Sequence, residues 1–336
     1  MIGKSMVGAR SIDVFDLAIF VDLLNRVQRV CSVTNHAYGA MSGFALDDQR
    51  RLYRALGLKR LLAFSTDVSL AQRQMFNKPI SDARRVHADF DDIVSNWHDL
   101  FENEGIEDTD KFILWLRRDA ANNPASGPRQ FQELANSIGL DGILRITLEI
   151  DFDVWAGPLY RDNARLTVAE REEVARARVE SELSDFLAPS DYSNPMDLHA
   201  LCIAVAKAYG NAAAAGVAGA TDRIFEPMSV VRCGADPVEI TITGMVIRPK
   251  RKKALRNAIT DGAWPFASAT WDDLKILLVP DLTVRERIEL EKIGNNRALA
   301  VTSLGFDLDE IIGQVGVFDS FIQFHRYLPT MIAAEM

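Results

Sequence analysis

Cysteine is scarce in this sequence. Its three thiols, Cys31, Cys202 and Cys233, lie far apart, with no CxxC pair. An odd, scattered set argues against a disulfide scaffold and reads as reduced core thiols of a cytoplasmic protein. Histidine is sparse as well. His36, His87, His98, His199 and His325 show no metal-ligand spacing, so no metal centre is expected. Gly-x-Ser-x-Gly, a Walker loop and HExxH are all missing, which removes the elbow hydrolases, P-loop enzymes and zincins from consideration. Positive charge is in deficit: 38 Lys and Arg face 47 Asp and Glu, for a net charge of -9. Nucleic-acid binding is not indicated by that balance, because neutralising phosphates needs clustered cations, although net charge is silent about a local patch. Long apolar runs are lacking too. The most apolar stretch, Ala200 to Ala220, is interrupted by Lys207, Tyr209, Gly210 and Asn211, so no membrane span is expected. Met1 to Arg10 has no apolar signal-peptide core.

What remains is a chain of 336 residues, 48% hydrophobic and 25% charged, enough for one large α/β domain with additions or for two domains. Ile12 to Val30 has apolar residues at three- and four-residue spacing and predicts an amphipathic helix. The stretch His36 to Asp91 then alternates strand and helix. Ala37 to Gly43 reads as a glycine-containing turn and Leu46 to Leu56 as a helix ended by Gly57. Arg60 to Ser65 reads as a strand, Leu70 to Phe76 as a helix, and Arg85 to Ala88 as a short strand. Ile93 to Phe101 is helical by the same reading. Phe112 to Leu116 is a strand buried on both faces, Gln130 to Ile138 a helix, and Gly142 to Ile150 a fifth strand. Such alternation implies a parallel sheet with right-handed crossovers, whose ligands sit beyond the carboxyl ends of the strands.

The pattern changes after residue 150. Thr167 and Glu170 form a capping box that opens a helix to about Leu187, rich in Glu and Arg, with a narrow apolar stripe. Asn194-Pro195 signals a second helix, to about Tyr209, which the Ala-rich stretch Asn211 to Ala220 extends or follows. Val230 to Arg232 and Val238 to Val246 predict a hairpin. Arg248 to Arg256 is a basic run that reads as a solvated turn leading into a helix, with phosphate binding as the alternative. Thr283 to Glu286 is another capping box, and Phe306 to Tyr327 reads as helical, with breaks at Gly313 and Gly316.

A helix, five βα units, a helical insertion and a hairpin, in that order, resemble the class I S-adenosylmethionine-dependent methyltransferases. The resemblance implies a Rossmann-like sheet of five parallel strands plus a C-terminal β-hairpin. It gives an α/β domain over 1–247, with the helical insertion at about 166–220, and a mostly helical extension over 248–336. S-adenosylmethionine is the implied cofactor. In that family a glycine turn after the first strand admits the cofactor, and Tyr38, Gly39 and Gly43 occupy that position, with Met41 where the family has a further glycine. The acid that binds the ribose falls at Ser65 or Asp67. Asp89 matches the residue near the adenine amine, and Phe90 offers a stacking surface. Acceptor contacts fall on Arg117, Arg118, Asp119 and Asn123, where many members carry an acidic or Asn-Pro motif. Phe76 to Pro79 and His325 to Pro329 are similar to segments of a bacterial group labelled O-methyltransferase, which can be encoded beside antiviral defence genes.

Each of these residues has a structural alternative. Asp67 and Asp89 suit helix N-caps, and Arg117 and Arg118 suit solvated charges. His36 sits near the glycine turn as a base or as a structural hydrogen bonder. Two functions therefore stand open: an active methyltransferase, with an O-methyltransferase implied, or an inactive methyltransferase-fold scaffold in a bacterial antiviral defence complex. No catalytic residue is assignable. The helical insertion is expected to act either as a lid over an acceptor or as the surface for a homo-oligomer or protein partner.

Overall fold

The computed structural model describes residues 11–106, 111–119, 124–161, 164–234, 238–278, 282–312 and 315–327. The chain forms two compact units. The larger comprises Leu23–Arg232 and Asp236–Lys275, and the smaller comprises Met1–Asp22, Cys233–Ala235 and Ile276–Met336. The basic run from Arg248 to Arg256 thus belongs with the sheet rather than with the C-terminal helices.

In the larger unit, β1 (Ala37–Ala40), β2 (Arg60–Phe64), β3 (Arg84–Val86), β4 (Phe112–Asp119), β5 (Ile143–Ile150), β6 (Ile224–Cys233) and β7 (Val238–Ile247) lie in the order β6-β7-β5-β4-β1-β2-β3. Strands β1 to β5 pair in parallel, and β7 runs antiparallel to β5, from Ile143 opposite Met245 to Ile150 opposite Val238. The helices α1 (Ser11–Val27), α2 (Asp47–Leu56), α3 (Val68–Phe76), α4 (Phe90–Asn103) and α5 (Ser126–Ser137) precede or connect the parallel strands. Strand β1 sits between β2 and β4, where the winding reverses. A crevice at the carboxyl ends of β1 and β4 follows from that topology.

Local chemistry explains the element ends. Gly57 closes α2 in the left-handed conformation, φ 70°, which a residue without Cβ adopts freely. Asp89 and Asp92 form a reciprocal capping box at the start of α4. Along β4 and β5 one set of alternate side chains is apolar: Leu114, Leu116, Leu144, Ile146 and Leu148 join a core with α4, α5 and the long helix α8 (Leu198–Val217).

Three sequence readings shift. Ala37 to Ala40 is a buried strand paired on both sides, not part of a turn, so the turn begins at Met41. Strand β4 continues through Arg117 and Arg118 to Asp119, because its ladder with β5 runs that far. The second insertion helix starts at Leu198 with Asp197 as N-cap, not at Asn194, and continues through the Ala-rich stretch to Val217. A Cβ on Gly216 would lie 2.3 Å from the Gln132 carbonyl oxygen, so α8 packs almost backbone to backbone on α5. By length and composition α8 alone, among the described residues, resembles a membrane span, and it is mostly buried.

The insertion contains the short α6 (Phe152–Ala156) and α7 (Val168–Leu183). Ala175, Val179 and Leu183 of α7 are buried in the same core as α8. After α9 (Lys252–Thr260) come α10 (Val284–Ile293), α11 (Arg297–Leu304), α12 (Leu308–Ile312) and α13 (Val317–Phe324), which pack around Leu290, Ala300, Leu308, Phe318 and Phe321 in the smaller unit.

Candidate functional site at the carboxyl ends of the sheet

The turn after β1 is pinned from behind. Gln74 Nε2 of α3 donates to the Ser42 carbonyl at 2.9 Å, Asn77 Nδ2 donates to the Phe44 carbonyl at 3.0 Å, and Arg50 of α2 donates to the Ala45 carbonyl at 3.2 Å. Tyr38 and Ser42 donate to the same oxygen of Asp48, at 2.8 and 2.6 Å. Burial raises the Asp48 pKa, against the opposing pull of those two hydroxyls. Asp48 was not legible as a site residue. In sequence it is one of two acids in the first turn of a helix, and its burial depends on Tyr38 and Ser42 folding onto it.

The two glycines have different surroundings. A Cβ on Gly39 would meet Phe101 Cζ at 2.6 Å and Phe64 at 2.8 Å, so this glycine admits a ring cluster beneath the strand. Gly43 is exposed in the turn, and a Cβ there would meet nothing within 4 Å. Ser65 is buried just past β2, where its hydroxyl accepts from the Asp67 backbone N–H at 3.2 Å. Asp67 caps α3, accepting from the Ser69 N–H and hydroxyl at 2.7 and 2.6 Å, bonds that lower its pKa. Asp89 caps α4, accepting from the Asp92 N–H at 2.8 Å. Both acids therefore are N-caps, and both stand at strand ends. Phe90 is half-buried with the Arg118 guanidinium 4.9 Å from its ring centre.

Neither arginine of β4 is loosely solvated. Arg117 Nη2 donates to both carboxylate oxygens of Glu239 of β7, Oε2 at 3.1 Å and Oε1 at 3.2 Å. Arg118 projects to the opposite face, as alternation along a strand requires, and donates to Ser126 Oγ at 2.7 Å and to Gln130. The Asp119 backbone lies opposite Glu149 in the β4–β5 register, while Asn123 lies outside the described residues.

The face of β4, β5 and β7 that carries Arg117 is polar although it is buried. Arg145, 1% exposed, donates to Thr243 Oγ1 at 2.7 Å and lies over the Trp115 ring, 4.6 Å from its centre. Trp115 Nε1 donates to Thr147 Oγ1 at 3.0 Å, and Thr147 and Thr241 hydroxyls are 3.1 Å apart. Further toward the carboxyl ends, Asp119, Glu149 and Glu239 share one register level across three strands. The like charges of Glu149 and Glu239, directly opposite one another, are unfavourable, and Arg117 offsets this at Glu239. Sequence reading missed Glu149 and Glu239. Their only signal was an acid at the end of one strand and the start of another.

Other candidates resolve as structural. His36 is fully buried at the opposite, amino end of β1, with Nε2 2.9 Å from the Asp141 carbonyl and Nδ1 3.1 Å from that of Ser32. Burial lowers its pKa. It cannot act as a base at the strand ends. In the basic run, Arg251 pairs with Asp141, and Arg256 pairs with Glu226 at 2.5 Å, so these cations clamp the fold. All three cysteines are buried thiols, and burial raises Cys31 and Cys202 to about 11.

No curated protein matches the chain. Among solved structures, coclaurine N-methyltransferase bound to N-methylheliamine and SAH is similar at 9% identity and a TM-score of 0.28, over 68% of this chain and 72% of that one. A family model described as "Putative O-methyltransferase" matches residues 10–336, and the chain belongs to that family.

Proposed function

We propose that the carboxyl ends of β1, β2 and β3 hold S-adenosylmethionine and that the protein methylates an oxygen acceptor placed over the ends of β4 and β5. One observation carries the reading: Gly43, Asp67 and Asp89 fall at the carboxyl ends of three neighbouring strands, beside the point where the strand order reverses. The open space at Gly43 and the strand-end positions of the two carboxylates fit such a nucleoside. Gly39 lies within β1, and aromatic rings fill the space where a side chain would stand there. When bound, the cofactor supplies an electrophilic methyl group on a sulfonium. The chain's own work is then positioning. Asp67 and Asp89 accept from the ribose hydroxyls and the adenine amine, and Phe90 lies beside the base. The pinned turn from Ser42 to Ala45 fixes the approach, so little reorganisation is needed at the moment of transfer. A hydroxyl acceptor must lose a proton. Glu149, at the acidic register level above Arg117, is the base that this reading assigns.

A second reading has its own support. Met41 stands in mid-turn, and Ser65, rather than an acid, directly follows β2 with its hydroxyl engaged by the Asp67 backbone. These features suit a methyltransferase-fold scaffold in a bacterial antiviral defence complex, in the cytoplasm. Calorimetric titration of the full chain with S-adenosylhomocysteine separates the two. Saturable binding that Asp89→Ala weakens by about 1–3 kcal/mol, the cost of one hydrogen bond to a buried polar group, supports the first. Absence of binding at millimolar ligand overturns it and leaves the scaffold.

A further inference from the structure

The acidity of the chain is not evenly spread. Residues 47–87, which run from α2 to the end of the edge strand β3, hold nine Lys and Arg against four acids. Among the described residues, none of those nine has a carboxylate within ion-pairing distance. Elsewhere arginines are habitually paired, as Arg117 is with Glu239, Arg171 with Asp153, Arg256 with Glu226 and Arg297 with Asp307. Three of the four local acids are held by hydroxyls instead: Asp48 by Tyr38 and Ser42, Asp67 by Ser69, and Asp82 by Ser81.

Contacts place three of these cations around one helix. Arg50 of α2 donates to the Asn77 carbonyl at the end of α3, at 3.3 Å. Arg85 of β3 donates to Gln74 Oε1 of α3 at 3.2 Å, and Arg73 of α3 lies over the Phe44 ring, 3.5 Å from its centre. Arg54 and Arg73 are exposed, and Arg84 flanks the surface on the edge strand. The same helix end presents apolar groups to solvent: Phe76 is 91% exposed and Met75 52%. Only Gln74 of α3 is buried. Arginine dominates the set, and its planar fork suits phosphate oxygens better than a point charge does. A bare aromatic ring amid such cations offers a face on which a base can stack.

We infer that the α2–α3–β3 edge is a docking surface for single-stranded nucleic acid, with the arginines on the phosphates and Phe76 under a base. The surface does not depend on the transfer chemistry proposed above, although Arg50, Gln74 and Asn77 also pin the turn from Ser42 to Ala45. Its test uses the full chain and a fluorescein-labelled 20-nucleotide single-stranded RNA, read by anisotropy at 50, 100 and 200 mM NaCl. Wild-type protein binds, with log affinity falling by about 0.7 per decade of salt for each phosphate neutralised. The triple variant Arg54→Glu, Arg73→Glu, Arg84→Glu loses at least tenfold in affinity and has a shallower salt slope. Phe76→Ala, which removes an exposed ring and leaves the core intact, loses at least fivefold with the slope unchanged. Lys250→Glu with Lys253→Glu, exposed cations of the other basic run, binds within twofold of wild type. No binding at 50 mM NaCl overturns the inference, as does wild-type affinity in the Phe76→Ala protein. Equal competition by polyglutamate also overturns it and assigns the surface to an acidic protein partner instead.

Discussion

A methyl group added at Gly39 meets Phe101 at 2.6 Å and Phe64 at 2.8 Å, and both rings belong to a packed aromatic cluster with Trp97 and Phe112. The rings have no free direction in which to retreat. Gly39→Ala is therefore expected to destabilise the protein by about 1–3 kcal/mol, the usual cost of overpacking, with or without ligand. Gly43→Val, set in open space, is expected to leave the melting temperature unchanged while lowering S-adenosylhomocysteine affinity at least tenfold. Thermal melts and calorimetry on both variants check this. A Gly39→Ala protein that melts like wild type would show that ring packing is not why glycine stands there. The contrast was hidden in the sequence, where both glycines fall in one short segment. Only the burial of Ala37 to Ala40 between β2 and β4 assigns one to the strand and the other to the turn.

The insertion helix α7 poses a question of the same kind for a whole element. Its narrow stripe of Ala175, Val179 and Leu183 suits either a seam within the chain or one between chains. In the structure all three are at most 1% exposed and share a core with α8. Replacing Val179 and Leu183 with Asp buries two unpaired carboxylates, so a loss of more than about 4 kcal/mol is expected. Urea titration followed by circular dichroism measures it. A double variant that stays folded but changes oligomeric state would move the seam to a partner. Helix starts of this kind were plain in the sequence, because the Thr167–Glu170 and Thr283–Glu286 capping boxes are local signals, and both are formed. Apolar strand runs were equally plain. The end of β4 was not, because Arg117 and Arg118 look like loop residues until Glu239, 122 positions away, supplies the partner that keeps Arg117 in the ladder. The length of α8 also needed a distant fact, the backbone of α5 against Gly216.

Across the whole molecule, acidic surplus and apolar burial are shared between two compact units, and each has its own charged fastening. In the smaller unit that fastening is Asp309, which is 8% exposed. Its carboxylate accepts from the Phe318 N–H at 2.9 Å and the Gly316 N–H at 2.8 Å, and it pairs with Arg297 at 2.9 Å. Burial by itself would push the Asp309 pKa up. The two backbone donors and the guanidinium outweigh it, and the net shift is downward. An acid whose pKa is lower folded than unfolded contributes stability that is complete above its unfolded value, about 3.9, and is lost as pH falls through the folded value. Asp309→Asn is therefore expected to weaken the smaller unit by about 1.5–3 kcal/mol at pH 7, the range for hydrogen bonds to a charged group. The difference from wild type should shrink as pH falls below about 3.9 and vanish once the wild-type carboxylate is itself protonated. Hydrogen exchange of peptides spanning Arg297 to Phe321, compared between variant and wild type at neutral and acid pH, reads this locally. An equal penalty at both pH values would mean that the introduced amide fails for its shape, and that the charge of Asp309 does not hold the unit together.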